Sequence, residues 1–274
     1  MEFKAFKMDG LGNDFIIIDQ RQKRIDLKKD QILKICNRDF IGCDQLIYII
    51  ENNNADAEME FYNSDASKSD ACGNGTRCVA YLLSKEKKKE EINLIVGSAE
   101  LKSKILEDSL VETIIGSPKT NWDQIPISEA LDTTNLGIEI KDRENTTLKG
   151  GIAVNVGNPH IVFFVENLEK FDLEKIGPKV ENHRLFPEKC NVTLAKKISD
   201  NHYKVKVWER GAGLTKACGT AACATAVAAN LKKLENSQTF VEFSLGKLII
   251  TIDNDKRISM KGPVSKIEKI KINI

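Results

Sequence analysis

The sequence predicts an α/β (α+β) fold made of two pseudo-symmetric halves, each a curled and mainly antiparallel sheet around a central helix. Three observations predict it. A short motif, Ala-Cys-Gly followed by a helix-forming run, occurs at residues 71–80 and again at 217–224, just over half the chain apart. Around each copy lie many short apolar segments of strand length. Long segments with helical periodicity are few.

Length and composition limit the classes of protein to which the chain belongs. With 274 residues and 41% hydrophobic residues, it can form one large or two ordinary domains with a proper core. A net charge of +1 argues against a nucleic-acid partner bound through bulk charge. No apolar run approaches the roughly 18 residues that cross a membrane. Seven cysteines, an odd number with no CxxC pair, indicate free thiols, and we therefore expect a reducing, cytoplasmic location.

The first half is predicted to span residues 1–117, joined by the last strand at 264–274, and the second half to span residues 118–263. In the first half, the apolar positions of residues 30–40 predict an amphipathic helix. Alternating apolar residues and β-branched side chains predict the strands. These strands are expected at residues 3–7, 16–19, 46–50, 57–62, 92–96, 101–106 and 110–115.

The second half repeats this order of elements. Residues 118–150 are polar and are expected to be irregular, with an exposed loop over residues 141–150. A helix is expected over residues 171–182. The strands are expected at residues 151–156, 161–165, 191–194, 202–207, 240–243, 247–252 and 257–261, and after the break at residues 262–263 a last strand covers 264–270.

The leading cysteines, Cys72 and Cys218, are predicted to lie at helix N-termini. Cys72 precedes Gly-Asn-Gly, which favours the turn that opens a helix, because a glycine inside a helix costs roughly 1 kcal/mol. Gly219-Thr220 precedes an alanine-rich run in the same way. Such a thiol lies beside unpaired backbone N–H groups and the positive end of the helix dipole. We therefore expect both thiol pKa values to be lowered toward neutrality. The other cysteines are expected to be buried apolar residues: Cys36, Cys43, Cys78, Cys190 and Cys223.

Two such thiols, one in each half, are expected to face each other across a cleft between the halves, where pockets are common. Opposed thiols suit inversion of configuration at an activated carbon. One group, as thiolate, takes a proton from one face, and the other, as thiol, returns a proton to the opposite face. Two helix N-termini would stabilise the charge that spreads into a substrate carboxylate. This chemistry strictly requires neither a metal nor an imine-forming cofactor.

Each thiolate needs a base or a charged partner. His160, in an Asn-Pro-His turn, and Glu209, just before the second cysteine loop, are the candidates. Arg210 follows Glu209 in a glycine-flanked turn and is a candidate bidentate clamp for a carboxylate. His183 and His202 are expected to be structural.

At these residues the sequence closely resembles the diaminopimelate epimerases. The family signature is Asn-x-Asp-Gly-Ser, four further residues, and then Cys-Gly-Asn-Gly-x-Arg. Residues 63–67 and 72–77 match it, with one departure. The runs that also fit the family lie at residues 10–15, 157–160, 209–213 and 217–220. The resemblance therefore covers about residues 3–224, and its motifs are jointly very specific.

The resemblance implies interconversion of LL- and meso-2,6-diaminoheptanedioate without a cofactor, in lysine and peptidoglycan precursor synthesis, by a homodimer. It implies Cys72 and Cys218 as the two acid/base groups, with His160 acting on Cys72 and Glu209 on Cys218. Gln45 and Glu209 would lie near the reacting ammonium. Backbone N–H groups that hold the reacting carboxylate would come from Gly73, Asn74, Gly219 and Thr220. The distal end of the substrate would be held by Asn13, Asn63, Asn158, Asn191 and Arg210.

Three residues depart from the family pattern. Ala66 stands where the signature has Gly, so its turn either avoids positive φ or tolerates strain. Ala221 replaces the usual Gly after Thr220, although it keeps its backbone N–H. Asp9 stands where His is common. None of the three removes a proposed catalytic group, so they bear on the binding of the substrate and not on the reaction type.

Two other interpretations stay open. A proline or hydroxyproline racemase would share the fold, but small cyclic substrates offer nothing for the distal asparagines and Arg210 to hold. A redox or zinc-binding module would use the two cysteines of each motif. Their spacings of six and five residues are not those of a zinc pair.

Overall fold

The computed structural model of the chain describes residues 1–69, 72–141, 146–234 and 238–274. It divides into two compact units. Unit 1 comprises Met1–Ile114 and Lys261–Ile274, and unit 2 comprises Ile115–Met260. Ala71, the first residue of the first cysteine motif, lies outside the described residues. Within the described residues, no helix has both the length and the apolar character that a membrane crossing requires.

The elements alternate between strands and a few helices. Up to residue 116 they are β1 (Glu2–Gly10), β2 (Asn13–Asp19), α1 (Lys29–Cys36), β3 (Gln45–Ile50), β4 (Ala57–Asn63), β5 (Lys68–Ser69), α2 (Gly73–Lys87), β6 (Glu91–Val96), β7 (Ala99–Ile105) and β8 (Leu110–Gly116). They continue as β9 (Ile138–Lys141), β10 (Thr147–Gly150), β11 (Ile152–Asn155), β12 (Pro159–Phe164), α3 (Leu173–Glu181), β13 (Asn191–Ser199), β14 (His202–Glu209), β15 (Gly213–Thr215), α4 (Gly219–Leu231), β16 (Gln238–Phe243), β17 (Gly246–Ile252), β18 (Ile258–Pro263) and β19 (Glu268–Asn273).

The two units repeat one pairing pattern. In unit 1, β1 and β2 are antiparallel, β2 and β3 parallel, and β3 and β4 antiparallel. β4 then pairs with the short β5 antiparallel and with β6 parallel. In unit 2 the same sequence of pairings runs through β11, β12, β13, β14, β15 and β16. Parallel neighbouring strands need a crossover connection, and in both units each crossover between parallel strands carries a helix, as is usual. The prediction of two pseudo-symmetric, mainly antiparallel halves is therefore confirmed.

α2 forms the centre of the core of unit 1. Its residues Cys78, Val79 and Leu83 are fully buried and pack in one cluster with strand residues such as Phe15 and Phe61. A Cβ on Gly75 would lie 2.8 Å from both Ile47 Cδ1 and Phe61 Cε1. Glycine at this position therefore lets the first turn of α2 approach the sheet closely. α1 packs on the sheet through a second cluster that contains Ile35.

α4 takes the corresponding place in unit 2. Almost all of its residues from Gly219 to Ala229 are buried, and most of them are alanine. Small side chains allow strands to pack closely against every face of a helix, so that an apolar helix of this length is covered without a polar face. α3 is instead amphipathic and buries Leu173, Ile176 and Val180.

Several sequence predictions of secondary structure are wrong. Residues 262–263, expected to break the chain, lie in β18, and Pro159 and His160, expected in a turn, begin β12. The helix expected over residues 30–40 ends at Cys36, because Asn37 has extended backbone and its N–H closes the last turn on Leu33. Within the region expected to be irregular, β9 and β10 form an antiparallel ladder that buries Ile138 and Leu148, although residues 142–145 of the expected loop lie outside the described residues. The last strand is Glu268–Asn273 rather than residues 264–270, because its buried Ile272 pairs with Phe3 of β1.

Candidate active site

Cys72 is the N-cap residue of α2, as the sequence predicts, with extended backbone at φ −128° and ψ 112°. Its carbonyl oxygen accepts the N–H of Thr76 at 2.8 Å and the Thr76 hydroxyl at 2.9 Å, which closes the first helical turn. The backbone N–H groups of Gly73 and Asn74 belong to the first turn, where helical partners are absent. The thiol is half-buried, so it is placed for chemistry with a small ligand.

Asn13 and Asn74 surround this thiol. The thiol donates to Asn13 Oδ1 at 3.5 Å, and Asn74 Nδ2 donates to the same oxygen at 3.2 Å. Asn13 Nδ2 donates in turn to Asp44 Oδ2 at 3.0 Å. Asn13 starts β2 and Asp44 immediately precedes β3, so two parallel neighbouring strands bring these groups to the helix N-terminus.

Gln45 and Asn63 form a second polar pair in unit 1. They lie opposite each other in the β3–β4 ladder, and Gln45 Nε2 donates to Asn63 Oδ1 at 2.9 Å. Asn63 Nδ2 donates to Ser67 Oγ at 3.0 Å. Gln45 Oε1 is buried and accepts no hydrogen bond from the protein. It is therefore available to accept from a ligand such as an ammonium group.

Ala66 completes the turn between β4 and β5. Its φ is 65°, so the turn does not avoid positive φ. The chain instead tolerates an alanine in the left-handed conformation where the family has glycine. The turn holds this conformation because Ala66 N–H donates to the Asn63 carbonyl at 2.8 Å, and Ser67 donates through both N–H and Oγ to Asp65 Oδ1.

Cys218 is the N-cap residue of α4, with φ −138° and ψ 114°, and its side chain is buried. Its sulfur lies 3.3 Å from Thr220 Oγ1, accepts a hydrogen bond from the backbone N–H of Ala221 and hydrogen bonds with the Glu209 side chain. Ala221 therefore keeps its backbone contact at the position where the family has glycine. Gly219 is buried in the first turn of the same helix.

The predicted lowering of both thiol pKa values is wrong for Cys218. Burial and the negative charge of Glu209 raise the pKa of the Cys218 thiol well above its ordinary value. The hydrogen bonds from Thr220 and Ala221 act in the opposite direction but are outweighed. The helix N-terminus by itself therefore does not decide the ionisation of this cysteine.

His160 lies on β12 with its ring fully buried. Its Nε2 is 2.8 Å from Asn158 Oδ1, and its Nδ1 has no hydrogen-bond partner in the protein. Burial, with a smaller contribution from the Arg210 charge, lowers the pKa of His160 to about 3. The ring is therefore neutral near pH 7 and its unpartnered nitrogen can exchange a proton. Cys72, its expected partner, belongs to unit 1, and this partnership stays a prediction.

Asn191 connects the remaining candidate site residues of unit 2. It lies opposite His160 in the parallel β12–β13 ladder. Its Nδ2 donates to the Pro159 carbonyl at 2.9 Å, and its Oδ1 accepts the backbone N–H of Arg210 at 3.0 Å. Arg210 Nη1 donates to the Glu188 carbonyl at 3.0 Å. Asn158, His160, Asn191 and Arg210 thus form one group beside the Glu209–Cys218 pair.

Two residues that the sequence analysis missed support these groups. Asp44 contacts Asn13, as described above. Glu181, the last residue of α3, is 5% exposed and accepts the Trp208 indole N–H at 2.7 Å and the Gly211 N–H at 3.2 Å. A carboxylate on the apolar face of a predicted helix is the signal that could have identified Glu181. For Asp44 the signal is weaker, namely its place immediately before the candidate Gln45.

The site residues occupy corresponding positions in the two units. Asn13 begins β2 and Asn158 immediately precedes β12, and Gln45 and Asn191 begin β3 and β13. Asn63 and Glu209 end β4 and β14, each shortly before a cysteine helix. Each unit therefore presents polar residues and one thiol at the same end of its sheet. Among the described residues there is no cluster of three or more His, Cys, Asp or Glu side chains arranged to hold a metal ion.

Solved structures with this fold come from several families. A phenazine biosynthesis protein of the PhzF family from Bacillus anthracis superposes with a TM-score of 0.71 at 15% identity, over 100% of both chains. A hydroxyproline epimerase from Agrobacterium vitis superposes with a TM-score of 0.67 at 11% identity, over 100% of this chain and 93% of the other. At such low identity these similarities establish the fold alone.

Sequence comparison identifies the family. The family model described as diaminopimelate epimerase matches residues 5–120 and 152–267. A diaminopimelate epimerase from Pelagibacter ubique (strain HTCC1062) is 66% identical over 100% of both chains. One from Zymomonas mobilis subsp. mobilis is 40% identical over 98% of this chain and 97% of the relative. The resemblance noted in the sequence is confirmed, and the chain belongs to the diaminopimelate epimerase family.

Proposed function

We propose that this protein interconverts LL- and meso-2,6-diaminoheptanedioate, with Cys72 and Cys218 as the two acid/base groups. One observation carries the proposal: each of the two topologically equivalent units places one cysteine at the N-cap of its central helix. The family match, which covers both motifs, supports the same assignment.

The chemistry follows from what a helix N-terminus offers. Removal of the α-proton leaves a carbanion whose charge spreads into the adjacent carboxylate. The backbone N–H groups of Gly73, Asn74, Gly219 and Thr220 are suited to hold that carboxylate, because the first N–H groups of a helix have no helical acceptors. Such fixed donors stabilise developing charge without reorganising during the reaction.

The proton steps balance without an external reagent. The thiolate form of one cysteine takes the α-proton as the carbon–hydrogen bond breaks, and the thiol form of the other donates a proton to the opposite face of the carbon. One thiolate becomes a thiol and one thiol becomes a thiolate, so the total charge is unchanged. Because burial and Glu209 keep Cys218 protonated at rest, Glu209 is suited to take the Cys218 proton when that cysteine has to act as the base.

The polar residues of the two units are suited to hold a long substrate with charges at both ends. Gln45 Oε1 and the Glu209 carboxylate are acceptors for the reacting ammonium. For the distal amino-acid end we propose the four asparagines and one arginine of the family pattern, namely Asn13, Asn63, Asn158, Asn191 and Arg210. His160 is proposed as the proton acceptor for Cys72, since its ring is neutral and Nδ1 is unpartnered.

The wider cellular role is proposed from the family. The reaction would supply lysine and peptidoglycan precursors, without a cofactor. Two thiols that must stay reduced favour the cytoplasm. A homodimer is proposed on the family resemblance, and light scattering of the purified protein would test it.

The decisive experiment incubates the pure LL isomer with reduced protein in deuterated water. We expect deuterium at the reacting α-carbon together with formation of the meso isomer. Cys72→Ala and Cys218→Ala should each abolish inversion. Cys223→Ala is the matched control, because Cys223 is a fully buried cysteine on the same helix as Cys218 and should be dispensable for turnover.

A substrate panel separates this function from its alternative. Folded wild-type protein that fails to exchange the α-proton of diaminopimelate, but exchanges that of proline or hydroxyproline, would replace the proposal with a racemase of cyclic substrates. Full activity in either cysteine variant would remove that residue from the mechanism.

A further inference from the structure

A chain of hydrogen bonds runs through the Cys72 site from a guanidinium to a carboxylate. Arg77 Nη2 donates to Asn74 Oδ1 at 2.8 Å, Asn74 Nδ2 donates to Asn13 Oδ1 at 3.2 Å, and Asn13 Nδ2 donates to Asp44 Oδ2 at 3.0 Å. The Cys72 thiol joins this chain at Asn13 Oδ1, at 3.5 Å.

The two ends of this hydrogen-bond chain, Arg77 and Asp44, allow the side-chain amides of Asn74 and Asn13 only one orientation. A carboxylate only accepts hydrogen bonds, so Asn13 must turn its nitrogen toward Asp44 and its oxygen toward the thiol. A guanidinium only donates, so Asn74 must turn its oxygen toward Arg77 and its nitrogen toward Asn13. Both requirements lead to the same arrangement, in which Asn13 presents a carbonyl oxygen to Cys72.

Asp44 and Arg77, the two ends of the hydrogen-bond chain, are themselves held in place. Asp44 Oδ1 accepts from Arg38 Nη2 at 2.6 Å, and Asp44 Oδ2 also accepts the backbone N–H of Asp14 at 3.1 Å. Arg38 pairs in addition with both carboxylate oxygens of Asp14. At the other end, Arg77 is fully buried and Asn74 is 1% exposed. Asp44 therefore remains a hydrogen-bond acceptor and Arg77 a hydrogen-bond donor at their ends of the hydrogen-bond chain.

We infer that Asp44 is a positioning residue, which together with Arg77 fixes the Asn13 amide so that Cys72 faces a hydrogen-bond acceptor and rests as a thiol. This inference deepens the proposed function and rests on it, since a Cys72 that rests as a thiol acts as the base only after its proposed partner His160 has taken its proton. An acceptor disfavours the thiolate, which the helix N-terminus alone would favour.

Other titratable groups of unit 1 lie in the same region. Cys78, which interacts electrostatically with Cys72, lies on α2, and Arg77 on α2 and Asp9 near the end of β1 act on Cys78 as well. Asp14 and Asp44 lie on the far side of Asn13. A test must therefore separate the effect of the Asn13 amide from the simple removal of a nearby charge.

The test compares two substitutions that remove the same charge. Asp44→Ala removes the acceptor for Asn13 Nδ2, whereas Asp44→Asn keeps an amide oxygen that can still accept it. The measurement is the pH dependence of Cys72 alkylation by iodoacetamide, read by mass spectrometry of the Cys72 peptide. We expect Asp44→Ala to lower the alkylation midpoint by about one pH unit, and Asp44→Asn to leave it near that of the wild type.

A second variant keeps the inference testable if Asp44→Ala does not fold. Asn13→Leu removes the acceptor oxygen and leaves the Arg38, Asp14 and Asp44 contacts in place, so it should lower the midpoint by a similar amount. In the double variant with Asp44→Ala, the midpoint should equal that of Asn13→Leu alone, because Asp44 acts only through Asn13.

Several outcomes overturn the inference. Equal shifts in Asp44→Ala and Asp44→Asn would show that charge, and not amide orientation, controls the thiol. An unchanged midpoint in Asn13→Leu would remove Asn13 from the control of Cys72. Alkylation of Cys72 requires no diaminopimelate. A negative deuterium-exchange result would therefore refute the proposed function, while the alkylation midpoints would still test the role of Asp44.

Discussion

The indole N–H of Trp208 donates to the carboxylate of Glu181 at 2.7 Å, and the second oxygen of that carboxylate accepts the N–H of Gly211. One buried side chain from α3 thus holds both sides of the segment that carries Glu209 and Arg210. α3 can approach this closely because residue 177 is glycine, where a Cβ would lie 2.5 Å from the Trp208 ring.

Glu181→Ala should therefore destabilise the protein. It leaves two N–H donors without their protein acceptor, and we expect the free energy of unfolding to fall by about 2–3 kcal/mol. Glu181→Gln keeps one acceptor oxygen and should cost about 1 kcal/mol. Urea unfolding measures both.

Glu174→Gln is the matched control, since Glu174 lies exposed on the same helix and should change stability by less than about 0.5 kcal/mol. If Glu181→Ala were as mild as this control, the carboxylate would have no supporting role.

Ala66→Gly should stabilise the protein. Ala66 has φ 65°, a left-handed conformation that glycine adopts without the steric penalty of a Cβ. We expect a gain of about 1 kcal/mol in the free energy of unfolding, measured by chemical denaturation.

Ala99→Gly tests whether this gain comes from φ. Ala99 begins β7 without positive φ, so glycine there should destabilise the protein by about 0.5–1 kcal/mol. If Ala66→Gly and Ala99→Gly changed the free energy of unfolding in the same direction, the positive φ of Ala66 would not explain the gain.

His160 should make the protein less stable in acid. Burial first, and Arg210 second, lower the pKa of the folded-state ring to about 3, whereas an unfolded histidine has a pKa of about 6.5. Below about pH 6.5 the unfolded chain therefore takes up a proton that the folded chain does not. The stability that is present above that pH is lost as the pH falls toward 3, by up to about 1.4 kcal/mol per pH unit.

Urea unfolding at about pH 7.5 and about pH 5.5 measures this effect in the wild type and in His160→Gln. Other titrating groups, including His183, contribute equally to both proteins and cancel in the difference. We expect the wild type to lose about 1 kcal/mol more than the variant. Parallel losses would show that His160 titrates normally in the folded state.

Glu209→Gln should lower the pKa of Cys218. Burial contributes most to the raised pKa and remains in the variant, but the negative charge of Glu209 is removed. We expect the Cys218 titration to move down by about one pH unit. The measurement is the ultraviolet absorbance of the thiolate, taken as the difference between Glu209→Gln and the same variant with Cys218→Ala.

Glu169→Gln serves as the control for a charge change elsewhere in unit 2, because Glu169 is an exposed partner of Lys206. It should leave the Cys218 titration where it is. If Glu209→Gln did not change the titration of Cys218, Glu209 would have no influence on the pKa of the Cys218 thiol.

Much of the fold could be predicted from local pattern. The strands of both halves follow from alternating apolar residues, and the start of α2 at Gly73 follows from a glycine-rich turn that cannot continue a helix. The hairpin of β9 and β10 was missed, because its residues are largely polar and only Ile138 and Leu148 reveal its buried face. The shift of the last strand to Glu268–Asn273 depends on its pairing with β1, at the opposite end of the chain.

The sequence by itself determined that two cysteines begin helices and that the chain repeats one arrangement of strands around each, because capping and hydrophobic alternation act between neighbours in the chain. Only the tertiary structure decided the states of those cysteines. Cys218 resists ionisation because distant residues bury it and Glu209 lies beside it. Cys72 faces an oxygen because Asp44 and Arg77 constrain the amides between them. Solvation and hydrogen-bond polarity depend on which groups meet in space, and spacing along the chain does not specify that.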